Sequence, residues 1–452
     1  MTRTSSEAAS GGARFRRGFT VLVIALAGLS AVFLTLGYLQ GPKLSSALVD
    51  TQGVIEQAGQ QLRLFTNQQL ATVTADQVTI SPETPFTVSS SADLVAVQFA
   101  TRLRYSTEYR VTVRGVRSAA LPQESTLEYR FTTDAPALYY LDRGDPDDEI
   151  VVTGLTGSAR EVAYSAPRIQ DFAVMDDTLA VVRLTDQHTS EVDIVTISTG
   201  LVEHLPLPAE GLVGAVDAAD TGRLLGFTFT TDTATTLYTI DLDAGREFVA
   251  APDLDGTPLF PLGWQFVPGT TSIAALGTSQ GLLLIDPATG DLTALGQFPE
   301  FGRVSADGRT ATLADARGIS AVTLADGHQL SLSASPVDGQ PSFLESVDVL
   351  PNGDRVEKVA VADAAGAAFT DLLVYDDGDT SRVLYSADGG SITGFTVSPN
   401  GQYVAVETIP DLSASVSDGY FRDARSTSVT TVIVAVDGGI PVRSMTGFRL
   451  HW

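Results

Sequence analysis

Residues 397–406 read Val-Ser-Pro-Asn-Gly-Gln-Tyr-Val-Ala-Val, and residues 305–313 read Ser-Ala-Asp-Gly-Arg-Thr-Ala-Thr-Leu. In both, a tight-turn tetrad carrying Asp or Asn before Gly leads into a short apolar run, the pattern of a hairpin. Turns of similar make-up recur at Asp177, Gly222, Gly269, Gly308, Gly353 and Gly401, in steps of 45, 47, 39, 45 and 48 residues. A second series falls between them, at Gly157, Gly200, Gly245, Gly290, Gly327, Gly378 and Gly438. Two hairpins per repeat make four short strands, and a repeat of this length with four strands is the signature of a β-propeller blade.

The two series differ in number: six first hairpins against seven second hairpins. One blade therefore lacks its opening strand. Residues 446–452, TGFRLHW, stand where an innermost strand belongs, while ALYYLDR and EIVVTGLTGSAREVAY supply three more. The expected domain is a seven-bladed β-propeller over residues 137–452, closed by one C-terminal and three N-terminal strands, so that no sheet edge stays open. The motif at 397–406 resembles the repeats of TolB-type and related tryptophan–aspartate-like propellers, with SADGRTATL as the second close copy.

Upstream, residues 42–134 alternate at period two in the runs QLRLF, QVTI, PFTVSS, LVAVQF, YRVTVRGV and TLEYRFTT. With the stretch near Leu44–Val54 this predicts about seven strands, the scale of an immunoglobulin-like sandwich. Leu103-Arg-Tyr-Ser-Thr-Glu-Tyr109 followed by RVTV, and closed by Phe131-Thr132-Thr133, resembles the bacterial Ig-like domains of S-layer and other surface proteins. The resemblance implies that Leu103 plugs the core and that Tyr109 is buried with its hydroxyl returned to backbone.

Residues 19–39, FTVLVIALAGLSAVFLTLGYL, are 21 consecutive residues without a charge, long enough as a helix to span a bilayer core. A single transmembrane signal-anchor is expected. The Ala25-Leu26-Ala27 triplet is a rival cleavage site, but the apolar run continues well beyond it. Arg14, Arg16 and Arg17 at its head place residues 1–18 in the cytoplasm and the all-β ectodomain outside, a cell-membrane, single-pass arrangement.

The formal net charge is −26, and the part beyond Gln40 carries 24 basic against 53 acidic residues. Such a surface repels phosphate backbones, which argues against nucleic acid. With no cysteine, disulfides, thiolate nucleophiles and zinc–thiolate sites are excluded. His188, His204, His328 and His451 are scattered without ligand spacing, so neither metal nor other cofactor is called for. No G-x-S-x-G elbow, phosphate-cradling loop or H-E-x-x-H is present.

One loop stands out. After VAVET the sixth repeat carries IPDLSASVSDGYFRDARSTS before TVIVAV resumes. It holds Tyr420, Phe421, Arg422 and Arg425, an aromatic and guanidinium set of the kind found in interface anchors, and these are the expected binding residues. The competing reading is a flap folded over the propeller. Ring closure brings a second loop beside it, Asp142–Glu149, with five carboxylates over eight residues. Oxygen ligands suit calcium, but the spacing does not match the twelve-residue calcium loop. A solvated turn, or a partner for Arg422 and Arg425, fits better.

Together these features predict a membrane-anchored extracytoplasmic binding or assembly scaffold of a bacterial cell envelope. Its partner would be a protein or another envelope component. The alternative is an extracytoplasmic propeller enzyme acting on wall polysaccharide or peptide, with a site assembled from several blades and no local motif.

Overall fold

The computed structural model describes residues 9–38, 41–120, 122–157, 160–337, 339–363, 366 and 368–452, without the side chains of 9–14, 31 and 33–38. The chain divides into two compact units, Met1–Thr133 and Asp134–Trp452.

The first unit begins with the helix Ala9–Tyr38. The expected span of residues 19–39 falls partly outside the described residues, and among those described no helix is long and apolar enough to cross a membrane. Seven strands follow in two antiparallel sheets, one of four and one of three strands. Alternation decides which side of each strand is buried: Leu62 and Leu64 of Gln61–Thr66 point inward, as do Val111 and Val113 of Glu108–Arg117. The inner faces meet where the Phe99 and Phe131 rings lie 6.2 Å apart. Leu103 and Tyr109 are both buried, and the Tyr109 hydroxyl accepts the Arg104 N–H at 3.1 Å.

The second unit is a β-propeller. Six sheets are built from consecutive strands, and we number them from the second, Ile169–Met175 through Leu201–Leu205, to the seventh, Ser391–Val397 through Ile440–Thr446. Between them lie the third (Leu212–Ala218 through Phe248–Ala250), fourth (Pro261–Phe266 through Leu292–Gln297), fifth (Glu300–Val304 through Gln329–Leu332) and sixth (Phe343–Val349 through Ser381–Ser386). The first is the closing sheet: Phe448–His451 pairs antiparallel with Leu138–Asp142, which continues into Asp148–Thr153 and Glu161–Ala166. Central strands are covered on both faces and read as nearly unbroken apolar runs; all five residues of Ile273–Gly277 are buried. Outermost strands such as Leu201–Leu205 are exposed over most of their length. The turn glycines take the left-handed conformation, with Gly401 at φ +71°. At Gly308, φ +69°, a Cβ would also come within 2.6 Å of the Pro268 carbonyl.

Apolar contacts join each sheet to the next across the closure. Leu138, Tyr140 and Leu450 of the closing sheet pack with Ala405 and Ile433 of the seventh, and Leu141, Ile150 and Phe448 pack with Phe172 and Leu179 of the second. Every innermost strand also has a register irregularity in its pairing with the second strand. A bulge withdraws N–H groups from the ladder, and at five of the seven strands a side chain of the preceding sheet accepts one. Asp148 accepts from Ile169 at 2.7 Å, Ser190 from Val213 at 2.9 Å, Gln265 from Val304 at 3.0 Å, Asp371 from Ile392 at 3.0 Å and Glu407 from Arg449 at 2.6 Å. Asp217 accepts from Phe266 at 2.9 Å, at the regularly paired end of its strand.

The closing strand should be indispensable. Phe448 is 1% exposed and packs in the cluster shared by closing and second sheets. Phe448→Ala is expected to cost about 3–5 kcal/mol in denaturant unfolding. Deleting 446–452 should lower the melting temperature further or cause aggregation, and an unchanged melting temperature in that truncation would contradict the closure.

Candidate functional site

The long loop of the seventh sheet runs from the strand Tyr403–Ile409 to the strand Thr430–Ala435. A bridge between Ser417 and Ser426 pinches off its tip. Asp418 organises that tip: its Oδ1 accepts the N–H groups of Tyr420 and Arg425, each at 3.1 Å. Its Oδ2 accepts from Arg143 Nη1 at 2.7 Å, in an ion pair whose side chains are 5% and 10% exposed. Arg143 comes from the acidic turn of the closing sheet. Its guanidinium also donates to the Asp423 carbonyl at 2.9 Å and lies 3.9 Å from the centre of the Tyr420 ring.

Tyr420 points inward, its hydroxyl donating to Asp148 Oδ1 at 2.5 Å. Burial and the carboxylate beside it raise the phenol above its ordinary range. Asp148 is itself raised by burial, against the hydrogen bonds from Tyr420 and Ile169. Arg425 reaches Asp423 at 3.1 Å and Glu407 at 3.9 Å, and its guanidinium lies 5.0 Å from the centre of the Phe448 ring. Arg143 lies at the same distance from that ring.

The closing strand contributes Arg449, at φ +54°, which pairs with Asp423 at 3.0 Å and with Asp171 of the second sheet at 3.1 Å. Burial works against the charge on Asp423, but Arg449 and Arg425 outweigh it and hold the carboxyl below its ordinary value. His451 lies with its ring 4.6 Å from that of Phe172. Burial first, then the Arg449 charge, push it down to about 4, so it is neutral at neutral pH.

Of the four residues the sequence nominates, Tyr420 and Arg425 are thus built into the propeller. Phe421 is 68% exposed, its ring 4.5 Å from that of His188 in the second sheet. Arg422 is half-buried and makes no hydrogen bond or ion pair among the described residues. The expected pairing of Arg422 and Arg425 with the acidic turn is corrected: the contact forms with its polarity reversed, the turn supplying Arg143 and Asp148 and the loop supplying Asp418 and Tyr420. Arg425 is drawn to Glu407 and Asp423 instead, both nearer its own strand. The remaining carboxylates of the turn divide too, with Asp142 and Glu149 pairing with Arg160. Among the described residues no group of three or more His, Asp or Glu side chains is placed to hold a metal ion.

Sequence reasoning missed Arg143, Asp418, Asp423, Asp171 and Arg449. The signal for Arg143 was its position as the one base in an acidic turn. The convergence that a multi-blade site requires is present, since arginines, carboxylates and a tyrosine from three sheets meet at one place. They pair with one another there, and the arrangement acts as a latch: the loop is a strap rooted in the seventh sheet, crossing the closing sheet and touching the second.

No family model matches the chain, and no curated protein matches it. Among solved structures, the β-propeller domain of the Trilobed protease from Pyrococcus furiosus is similar at 10% identity, covering 73% of this chain and 90% of that one, with a TM-score of 0.44. TolB from Acinetobacter baumannii is similar at 12% identity, with 77% and 79% covered and a TM-score of 0.38. An oligogalacturonate lyase in complex with manganese is similar at 12% identity, with 57% and 79% covered and a TM-score of 0.43. Likenesses this distant are no guide to activity or partner.

Two measurements check the latch. Tyr420→Phe should lower unfolding free energy by about 1–2 kcal/mol, because a buried carboxyl loses a donor. Arg422→Ala should stay within about 0.5 kcal/mol of the parent. The second concerns pH. Between about 6.5 and about 4 the unfolded chain protonates His451 while the folded chain does not, so the folded state loses stability as pH falls through that window, by about 3 kcal/mol in all. Asp217, whose carboxyl burial pushes up to about 7, has the opposite slope over an overlapping window. The His451 contribution is therefore read as the difference between the parent and His451→Gln, which should shrink as pH falls from 6.5 to 4.

Proposed function

We propose that this protein is a membrane-anchored extracytoplasmic scaffold of a bacterial cell envelope. In this reading residues 19–39 are the signal-anchor, residues 42–134 an Ig-like spacer, and the seven four-stranded sheets the blades of one ring that acts as an interaction platform. The anchor is supported by the arginines at 14, 16 and 17 ahead of an uncharged stretch. The apolar side chains of Phe19, Val21, Leu22, Ile24 and Leu26 are exposed along the helix among the described residues. The spacer reading is supported by seven strands in two sheets and by the Tyr109 hydroxyl bonded to backbone five residues upstream, which is the tyrosine-corner arrangement.

One observation carries the platform reading over the enzymatic one. The carboxylates Asp418, Asp423 and Asp171 at the closure are each paired with an arginine of the fold, and His451 is held neutral against Phe172. Engaged in this way, they hold the closing sheet and the loop together. Binding then falls to the exposed loop side chains.

In intact cells, external protease should digest a C-terminal tag and spare an N-terminal one, and the reverse pattern would overturn the orientation. Mature protein starting near Gly28 would establish cleavage and release. Crosslinking through the tagged full chain, with recovery from solubilised envelope, should bring down a defined protein or wall component in stoichiometric yield.

A further inference from the structure

The exposed large apolar side chains of the propeller fall into two sets. One is aliphatic throughout and lies on the outermost strands, as with Leu201, Leu330 and Ile440. The other lies at the end that carries the sheet-to-sheet connections and the loops between second and third strands. Among the described residues it holds every exposed phenylalanine of the propeller: Phe260, Phe343, Phe369 and Phe421. Phe421 leans on His188. Two of the others form a pair.

Phe343 opens the innermost strand of the sixth sheet and Phe369 opens its third strand, and each is 59% exposed. The second strand runs between them, with Ala360 opposite Phe343 and Ala362 opposite Phe369. Alanine at both paired positions leaves a floor with no side chain beyond Cβ. Across it the rings meet edge to face, 5.9 Å between centroids at 70°. An aromatic pair raised over an alanine floor in water is an unfilled contact surface, since each ring keeps a face open to a partner.

The charge around the pair is predominantly negative. Asp371 lies two residues beyond Phe369, opposite Ala360, and Glu345 two residues beyond Phe343. Lys358 serves both, at 2.6 Å from Glu345 and 3.6 Å from Asp371. Asp371 is otherwise spent on Ser391 and on the Ile392 N–H. Exposed Asp363 follows Ala362, and exposed Asp388 follows Ala387, whose N–H donates to the Asp371 carbonyl at 3.1 Å. One cation is thus shared by two carboxylates, with exposed Asp363 and Asp388 on the same sheet, in an ectodomain that carries 24 basic against 53 acidic residues. Aromatic faces attract cations as well as apolar groups, and the surrounding carboxylates repel an acidic partner or an anionic lipid surface.

We propose that the Phe343–Phe369 pair is the docking point for a basic polypeptide segment of a partner protein, which lays an aliphatic side chain on the open ring faces and directs an arginine or lysine toward Glu345. The proposal rests on the reading of the propeller as an interaction platform and names the chemistry of what the platform receives.

The test titrates full-length protein in detergent micelles with three dye-labelled peptides: alternating leucine–arginine, alternating leucine–glutamate, and alternating serine–arginine. The leucine–arginine peptide should bind, more weakly as salt rises, and Phe343→Ala with Phe369→Ala should weaken it by about tenfold or more, as loss of an aromatic anchor does. Phe260→Ala, an exposed phenylalanine outside the pair, should leave the affinity unchanged. Both variants replace exposed rings, and an unchanged thermal melt verifies their fold. Should the double variant lose its fold, Glu345→Gln, which keeps both rings, must weaken the leucine–arginine peptide. Equal affinity for parent and double variant, a serine–arginine peptide that binds as tightly as the leucine–arginine one, or preference for the leucine–glutamate peptide would each overturn the proposal. So would self-association in sedimentation that the double variant abolishes, since the occupant would then be a second copy. If crosslinking recovers the same envelope partner with parent and double variant alike, the platform reading stands and this docking point falls; an inward-facing C-terminal tag removes the platform reading whatever the peptides do.

Discussion

The propeller depends on a shortage of acceptors. Each innermost strand departs from regular pairing with its neighbour, and the departure strands N–H groups where the ladder offers no carbonyl. A buried N–H left alone costs about 1–3 kcal/mol. In five of the seven sheets Asp148, Ser190, Gln265, Asp371 and Glu407 meet that cost from the sheet before. Apolar packing between sheets is stronger in sum but tolerates sliding. These bonds do not, because each acceptor reaches one N–H of one neighbour, and so they fix the order and pitch in which sheets can stack.

The closing sheet uses the same device under harder conditions, since its innermost strand is the sequence-distant Phe448–His451. Glu407 of the seventh sheet takes the Arg449 N–H, and the Arg449 side chain passes the contact on to Asp171 of the second. The strap adds Asp423 to the same arginine and Asp418 to Arg143. Buried ion pairs of this kind contribute little against an apolar replacement, yet breaking one leaves an uncompensated charge. Their value here lies in discrimination: a closing strand shifted by one residue would present no guanidinium to either carboxylate.

Much of this architecture was legible in the sequence because it is written in local signals. The turn glycines at 222, 269, 308, 353 and 401 all need a conformation that disfavours other residues, and each takes it. The deficit of one first hairpin was enough to assign TGFRLHW to the closing sheet. Pairings made by side chains remote in sequence were not legible. Arg143 and Asp418 meet only because two sheets are adjacent in space, and nothing in the local composition of either says which acid an arginine will choose. Composition suggested that the acidic turn would supply the negative charge and the long loop the positive. Burial settled it otherwise: Asp148, 1% exposed, accepts from Ile169 and from the loop's Tyr420 rather than from an arginine, and Arg143 crosses to Asp418. The Phe343–Phe369 pair was likewise hidden, since the two rings are brought together by strand register alone.

The mixed origin of the closing sheet sets a schedule for biosynthesis. Leu138–Asp142 leaves the ribosome with its inner edge bare, and its partner Phe448–His451 follows only after six complete sheets have been made. At ordinary elongation rates of roughly 5–20 residues per second, that interval lasts on the order of tens of seconds. Throughout it, an apolar strand with an unpaired edge is a template for any other extended chain nearby. During that time the first sheet is the part of the propeller that keeps an apolar strand edge uncovered, and the last strand is what covers it.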